Sequence, residues 1–195
     1  MLRAAGTLRS GGVIVYPTDT LYGLGADAFS DETVAKIYAI KGRDRKKPIH
    51  CVVADLTMAA EYVELSDAAR KLAEEFLPGP LTILLRKKKE LNSGIARGND
   101  TIGIRIPDYD FCIELAKAFG KPFTTTSANK AGEANILSIV GIQKQLGKAV
   151  DDIDLAIDAG VLPMSLPSTV VNLVSGSPSI LREGEISTSE IRKLF

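Results

Sequence analysis

The run Val13-Ile14-Val15-Tyr16 is β-branched and aromatic, and Pro17 ends it. Proline has no N–H to give to a ladder, so a buried central strand has to stop there. Thr18, Asp19, Thr20, Leu21, Tyr22, Gly23, Leu24 and Gly25 follow: hydroxyls, one carboxylate and two glycines. A plain strand–turn–helix connection would account for this. So would a fold in which a buried strand carries polar groups to a site at its end.

Strands and helices alternate along the rest of the chain. Residues 2–10 read as a short helix stopped by Gly11-Gly12. Ser30 is placed to cap a helix with Asp31 and Glu32 in its first turn, where acids complement the dipole. Val34, Ile37, Tyr38 and Lys41 share one face of it, and Gly42 ends it. A strand is predicted at 50–54, then helices at 56–63 and 67–76 capped by Asp55 and Ser66. Strands at 81–85 and 102–106 follow, the second stopped by Pro107. Asp110 is expected to cap a helix to Phe119, and a strand at 122–126 runs into Ser127-Ala128-Asn129. A helix at 138–146 precedes short strands at 155–157, 168–174 and 180–182. Ser187-x-x-Glu190 is a capping box for a last helix. Interleaving of this kind predicts an α/β (or α+β) fold, one domain over 1–195 around a mixed sheet.

Composition narrows the function. The 24 basic and 24 acidic side chains cancel, so the chain as a whole is no polycation. Lys41, Arg43, Arg45, Lys46 and Lys47 still cluster, as do Arg86, Lys87, Lys88 and Lys89; runs of this kind are most simply solvated surface. Cys51 and Cys112 lie far apart without metal-ligand spacing, which predicts no zinc site and no disulfide framework, and hence a reducing cytoplasm. No apolar run approaches a membrane span.

Several catalytic patterns fail on context. There is no Gly-x-x-x-x-Gly-Lys-Ser/Thr loop. Gly23-Leu24-Gly25-Ala26-Asp27-Ala28 imitates a dinucleotide fingerprint, but six residues, one of them a proline, separate it from its strand. Ser127-x-x-Lys130 ends a strand instead of opening a helix, which disfavours a Ser–Lys acyl-enzyme. His50 is the only histidine and sits in an apolar run, which suits a structural residue better than a triad base. What remains is a set of strand ends with hydroxyls and cations. Thr20, Arg105, Ser168 and Arg182 lie at such ends, and Thr125, Ser127 and Asn129 alternate along one extended segment. Arginine inside an apolar strand needs a partner, either an acid of the same domain or a bound anion. Several such cations without a histidine base suggest a nucleotide triphosphate, handled by positioning and charge stabilisation.

Pro17-Thr18-Asp19-Thr20-Leu21-Tyr22-Gly23-Leu24, Lys41-Gly42-Arg43 with Lys47-Pro48, Pro78-Gly79-Pro80-Leu81-Thr82, Ile104-Arg105-Ile106-Pro107, Thr125-Thr126-Ser127-Ala128-Asn129, Ser168-Thr169-Val170-Val171 and Leu181-Arg182-Glu183-Gly184 together resemble the YrdC-like threonylcarbamoyl-AMP synthases. The resemblance runs from about residue 10 to 185, in family order. It implies an open twisted sheet with flanking helices around a large basic cavity. The implied reaction is ATP + L-threonine + bicarbonate → L-threonylcarbamoyl-AMP + pyrophosphate + water, the first step of tRNA threonylcarbamoyl-adenosine formation.

Carried over by position, the resemblance gives Thr20, Arg105, Thr125 and Ser168 to threonine. Arg43, Lys47, Thr101, Ser127, Asn135 and Arg182 go to ATP, with Lys41, Arg43, Ser127 and Asn129 as the catalytic set. It implies Mg²⁺ on the phosphates, no metal site of the protein's own, downstream threonylcarbamoyl transferases as partners, possible tRNA contact, and the short single-domain form of the family. Many relatives place a histidine where this chain has Val52; His50, two residues earlier on the same strand face, is expected near the pocket rim without that role. Three rivals stand beside this reading: a double-stranded RNA-binding module without catalysis, a sister branch of the fold without synthase activity, and a carbamoyl-transfer domain of the hydrogenase-maturation kind. Zero net charge weighs against the first. The Lys-x-Arg and Ser-x-Asn residues weigh against the second, and the length and absence of zinc-finger cysteines against the third.

Overall fold

The computed structural model describes residues 1–195. In chain order the helices are α1 (Leu2–Arg9), α2 (Asp31–Lys41), α3 (Leu56–Tyr62), α4 (Asp67–Phe76), α5 (Asp110–Phe119), α6 (Ile139–Leu146) and α7 (Thr188–Arg192). The strands are β1 (Ile14–Tyr16), β2 (Gly23–Gly25), β3 (His50–Val52), β4 (Leu81–Arg86), β5 (Thr101–Arg105), β6 (Phe123–Thr125), β7 (Leu155–Ala156), β8 (Thr169–Asn172) and β9 (Ser179–Arg182).

Helix boundaries follow from local chemistry. The side chains of Ser30, Asp55, Ser66, Ser138 and Ser187 each accept a backbone N–H of the first turn they precede. Gly42 ends α2 in the left-handed region, φ 57°, which a residue with a Cβ rarely adopts. One cap differs from expectation. Asp110 is the first residue of α5, and Tyr109 before it makes no side-chain cap bond. Asp110 there complements the helix dipole instead.

The strands form two sheets, ordered β2-β1-β7 and β6-β3-β5-β4-β8-β9. Pairing is mixed: β1/β7, β3/β5 and β4/β8 are parallel and the rest antiparallel. Gly23 and Gly25 do not prolong the loop after Pro17: they belong to β2, antiparallel to β1. Glycine is needed there because Tyr16 lies across the strand. A Cβ on Gly23 would come within 2.8 Å of the Tyr16 ring, and one on Gly25 within 3.0 Å. The phenol passes over β2, donates to the Thr124 carbonyl at 3.2 Å, and meets Phe123 edge-on at 5.2 Å.

That crossing joins the two sheets. Leu24 N–H donates to Thr126 O and Thr124 N–H to Ala26 O, both at 2.8 Å. The Thr124 hydroxyl donates to Leu24 O and accepts from Ala26 N–H. Cores lie on both sides of the sheets. One is a 34-residue cluster containing Ile83, Ile102 and Ile104, and the other a 12-residue cluster around Tyr16, Val52 and Phe123 under α1 and α5. The second cluster fills only part of its sheet face. The remainder of that face, between β6 and β9, is open and polar.

Candidate functional site

Alternation along the strands puts one set of side chains on the open face. β6 offers Thr125, β3 His50, β5 Arg105, β4 Thr82, and β9 Arg182, with Ser168 just before β8. Ile83, Ile102 and Ile104 point the other way, into the larger core. The face is roofed by the turn after β1, the loop after α2, and the segment after β6. The result is a cavity of about 150 Å³ lined by 18 residues, of which 3 are hydrophobic. Arg43, Arg105 and Arg182 are in the lining and no carboxylate is. A pocket for a whole drug-sized ligand occupies ~300 Å³ or more, so this one encloses a group about the size of an amino acid, or part of a larger ligand.

The turn after β1 is built by Thr18. Its hydroxyl accepts from Thr20 N–H and Leu21 N–H, both at 3.1 Å, and donates to Leu21 O at 2.7 Å. This aims Thr20 Oγ1 at Arg105, whose Nη2 donates to it at 3.0 Å. The same nitrogen donates to Asp19 Oδ1 at 2.5 Å. Asp19, without a role in the sequence pattern, is thus the acid that pairs with Arg105. Both are nearly buried, with 11% and 7% of the side chain exposed. Arg105 Nε and Asp19 Oδ2 are buried with no hydrogen-bond partner.

Arg182 has no acid. Its Nε and Nη2 donate to Ser168 O at 3.1 and 2.7 Å, and Nη2 reaches Ser168 Oγ at 3.2 Å. Burial, then Arg105 and Arg43, push its pKa downward. Ser168 Oγ also meets Thr82 Oγ1 at 3.0 Å, which locks the hydroxyl against β4. Arg43 folds back on its own loop, donating to Lys47 O and Pro48 O, each at 3.2 Å. It leaves the guanidinium at the cavity wall.

Eight of the expected site residues line this cavity: Thr20, Arg43, Arg105, Thr125, Ser127, Asn135, Ser168 and Arg182. Four lie outside its lining. Lys41 is buried behind the Ser127 loop, its Nζ bonded to Ser127 O, to Asn129 O at 2.7 Å and to Asn129 Oδ1 at 3.0 Å. Three acceptors match the three N–H bonds of an ammonium. Burial and then Arg43 lower its pKa to about 7. Asn129 completes the brace, accepting from Ser127 Oγ at 2.6 Å and donating to Glu133 O at 2.7 Å. Lys41 and Asn129 therefore hold the loop that presents Ser127. Lys47 is exposed, and its contribution here is a carbonyl that accepts from Arg43 and Tyr38. Thr101 pairs with Arg86 at the far end of β5, four residues from Arg105, or ~13 Å along a strand.

The sequence reading also missed residues. Thr18, Thr82 and Thr126 line the cavity. Thr82 was detectable as the one hydroxyl in the apolar run 81–85. Among the residues present, no group of three or more His, Cys, Asp or Glu could hold a metal. No helix is long and apolar enough to cross a membrane.

Comparison with known proteins gives the same outline. Residues 6–184 match the Sua5/YciO/YrdC family model, described as "Telomere recombination". The chain is 37% identical over 205 residues to mouse (Mus musculus) threonylcarbamoyl-AMP synthase, covering 100% of this chain and 71% of that one. It superposes on the structure of P. abyssi Sua5 complexed with L-threonine with TM-score 0.91 at 31% identity. That alignment covers 99% of this chain and 56% of the other, so the chain spans a little over half the length of the Pyrococcus protein. E. coli YciO aligns with TM-score 0.86 at 29% identity, covering 97% of this chain and 91% of YciO.

Proposed function

The chain belongs to the Sua5/YciO/YrdC family, and we propose that it is an L-threonylcarbamoyladenylate synthase, a nucleotidyltransferase that uses ATP, L-threonine and bicarbonate. The observation that carries this reading is the acid-free cavity in which Arg105 sits among the hydroxyls of Thr20, Thr125 and Ser168. A planar guanidinium with hydroxyls around it suits an amino-acid carboxylate. Arg43, Arg182, Ser127 and Asn135 complete the lining and are assigned to the nucleotide.

In this reading the threonine ammonium first gives a proton to solvent, and the free amine adds to the carbon of bicarbonate; a C–N bond forms, a C–O bond of the bicarbonate breaks, and water leaves. The carbamate oxygen then attacks the α-phosphorus of ATP, and the bond to pyrophosphate breaks. Arg43 and Arg182 neutralise the charge that moves to the pyrophosphate, and fixed positive groups in a partly dry cavity do so without reorganising. Lys41 and Asn129 act through the loop they brace. Since the lining offers no carboxylate, Mg²⁺ is assigned to the substrate, arriving on the triphosphate. The product is a mixed anhydride that a separate transferase must place on tRNA.

Pyrophosphate release from ATP, with threonine and bicarbonate omitted in turn, tests the reading. Release is expected only when both are present. Release that ignores threonine overturns it, and so does the sister-branch outcome of no release with all three.

A further inference from the structure

His50 is unused in the reaction above, yet it stands on the cavity floor. It opens β3 opposite Thr125 of β6, so the two side chains share the open face. The imidazole packs against β5 at Gly103: a Cβ there would come within 2.6 Å of His50 Cδ2 and 2.8 Å of Cγ. Glycine at this position makes room for the ring, and Arg105 follows two residues along the same face.

The charged groups facing the ring are all cations. Arg105 approaches from β5, Arg182 from β9 and Arg43 from the loop after α2. β6 and β4 present only Thr125 and Thr82, and Asp19 is committed to Arg105. Lys41 stands behind the Ser127 loop with its ammonium on three oxygens. On β3 itself Cys51 belongs to the opposite core, its thiol pushed up to about 12 by burial. Burial, then Arg182, Arg43 and Arg105, hold the imidazole pKa down at about 4, so the free cavity contains a neutral ring. Entry of a polyanion offsets the share of that owed to the three arginines, because phosphate oxygens supply the negative charge the lining lacks.

We propose that His50 is a proton-linked ligand for the triphosphate of ATP, taking a proton from solvent as the nucleotide enters and donating the new N–H to a phosphate oxygen. This rests on the synthase reading. Its consequence is a direction: an equilibrium that takes up protons strengthens as pH falls. If ATP returns the ring to an ordinary pKa of about 6.5, binding at pH 6 takes up ~0.7 proton at His50, and affinity gains about fourfold between pH 8 and pH 6.

The test is isothermal titration of Mg²⁺-saturated ATP into the whole protein at pH 6, in two buffers of different ionisation enthalpy. The wild type and His50→Gln are compared, which subtracts protons belonging to ATP or to Lys41. The expected result is an excess uptake of about half a proton or more in the wild type, with a pH-dependent affinity gain that the variant loses. Equal uptake in both proteins overturns the assignment while leaving the synthase reading intact. Failure of the wild type to bind ATP at all overturns both.

Discussion

Arg105 shows what single residues contribute and what they cost. Truncating it removes the proposed carboxylate ligand and also strands Asp19, whose side chain is 11% exposed, without a partner. Breaking a buried pair from one side costs ~3–5 kcal/mol, much of it the uncompensated charge. Arg105→Ala is therefore expected to lose threonine affinity roughly 10- to 100-fold, the worth of a charged hydrogen bond, and to unfold at lower temperature. The double variant Asp19→Asn/Arg105→Ala should recover much of the stability and none of the threonine binding, with ATP affinity little changed in both. Equal losses of ATP and threonine by titration would contradict the carboxylate role. Lys41 makes the opposite case. The family resemblance placed it in the catalytic set with Arg43, but its Nζ serves three oxygens of the Ser127–Asn129 loop. Lys41→Met leaves those acceptors unsatisfied at a cost of about 1–3 kcal/mol, which for a chain of this size lowers Tm by roughly 2–10 °C. A lower kcat at unchanged Tm would restore the direct role. The difference between Lys41 and Arg43 was not legible in the sequence, because which of two cations reaches a cavity depends on the path of a loop 86 residues away.

Elements were legible where their boundaries are set by neighbours in the chain. The caps at Ser30, Asp55, Ser66 and Ser187 and the Gly42 stop are local chemistry, and the structure has them where the sequence puts them. β2 was not legible because Gly-Leu-Gly has no strand propensity of its own; its pairing is dictated by Tyr16 lying across it. The same logic hides the relation between β3 and β5. Gly103 reads as a weak point in an apolar strand, and its purpose appears only when His50 is seen lying on it. Gly103→Ala puts a Cβ 2.6 Å from the imidazole and 3.1 Å from Leu84 Cδ1. The expected cost is about 1–3 kcal/mol in chemical denaturation, as for other overpacked sites. In a His50→Ala background most of that cost should vanish, a coupling of about 1 kcal/mol or more across the two strands. Additive losses would mean that Leu84, not His50, sets the limit.

For the molecule as a whole, the formal charge of zero conceals an uneven distribution. Three arginines line one cavity whose lining holds no carboxylate, and only Arg105 is paired, with Asp19, while Arg45, Lys46 and Lys47 are exposed on the loop outside it. A cleft walled by protein focuses the field of its charges, whereas exposed lysines are screened within a Debye length. The two groups therefore make separable predictions. Raising salt from about 0.1 M to about 1 M shortens the Debye length from ~10 Å to ~3 Å. ATP, a polyanion attracted along the whole cavity mouth, should lose affinity roughly tenfold or more. Threonine carries no net charge, so its affinity should change less than about twofold. Arg182→Gln should flatten the ATP salt dependence, because it removes a cavity charge that no acid offsets. Lys46→Gln/Lys47→Gln should leave it nearly unchanged. If the lysine pair flattened the slope and Arg182→Gln did not, the exposed loop would be the anion-binding surface, and the nucleic-acid-binding alternative would gain what the cavity lost.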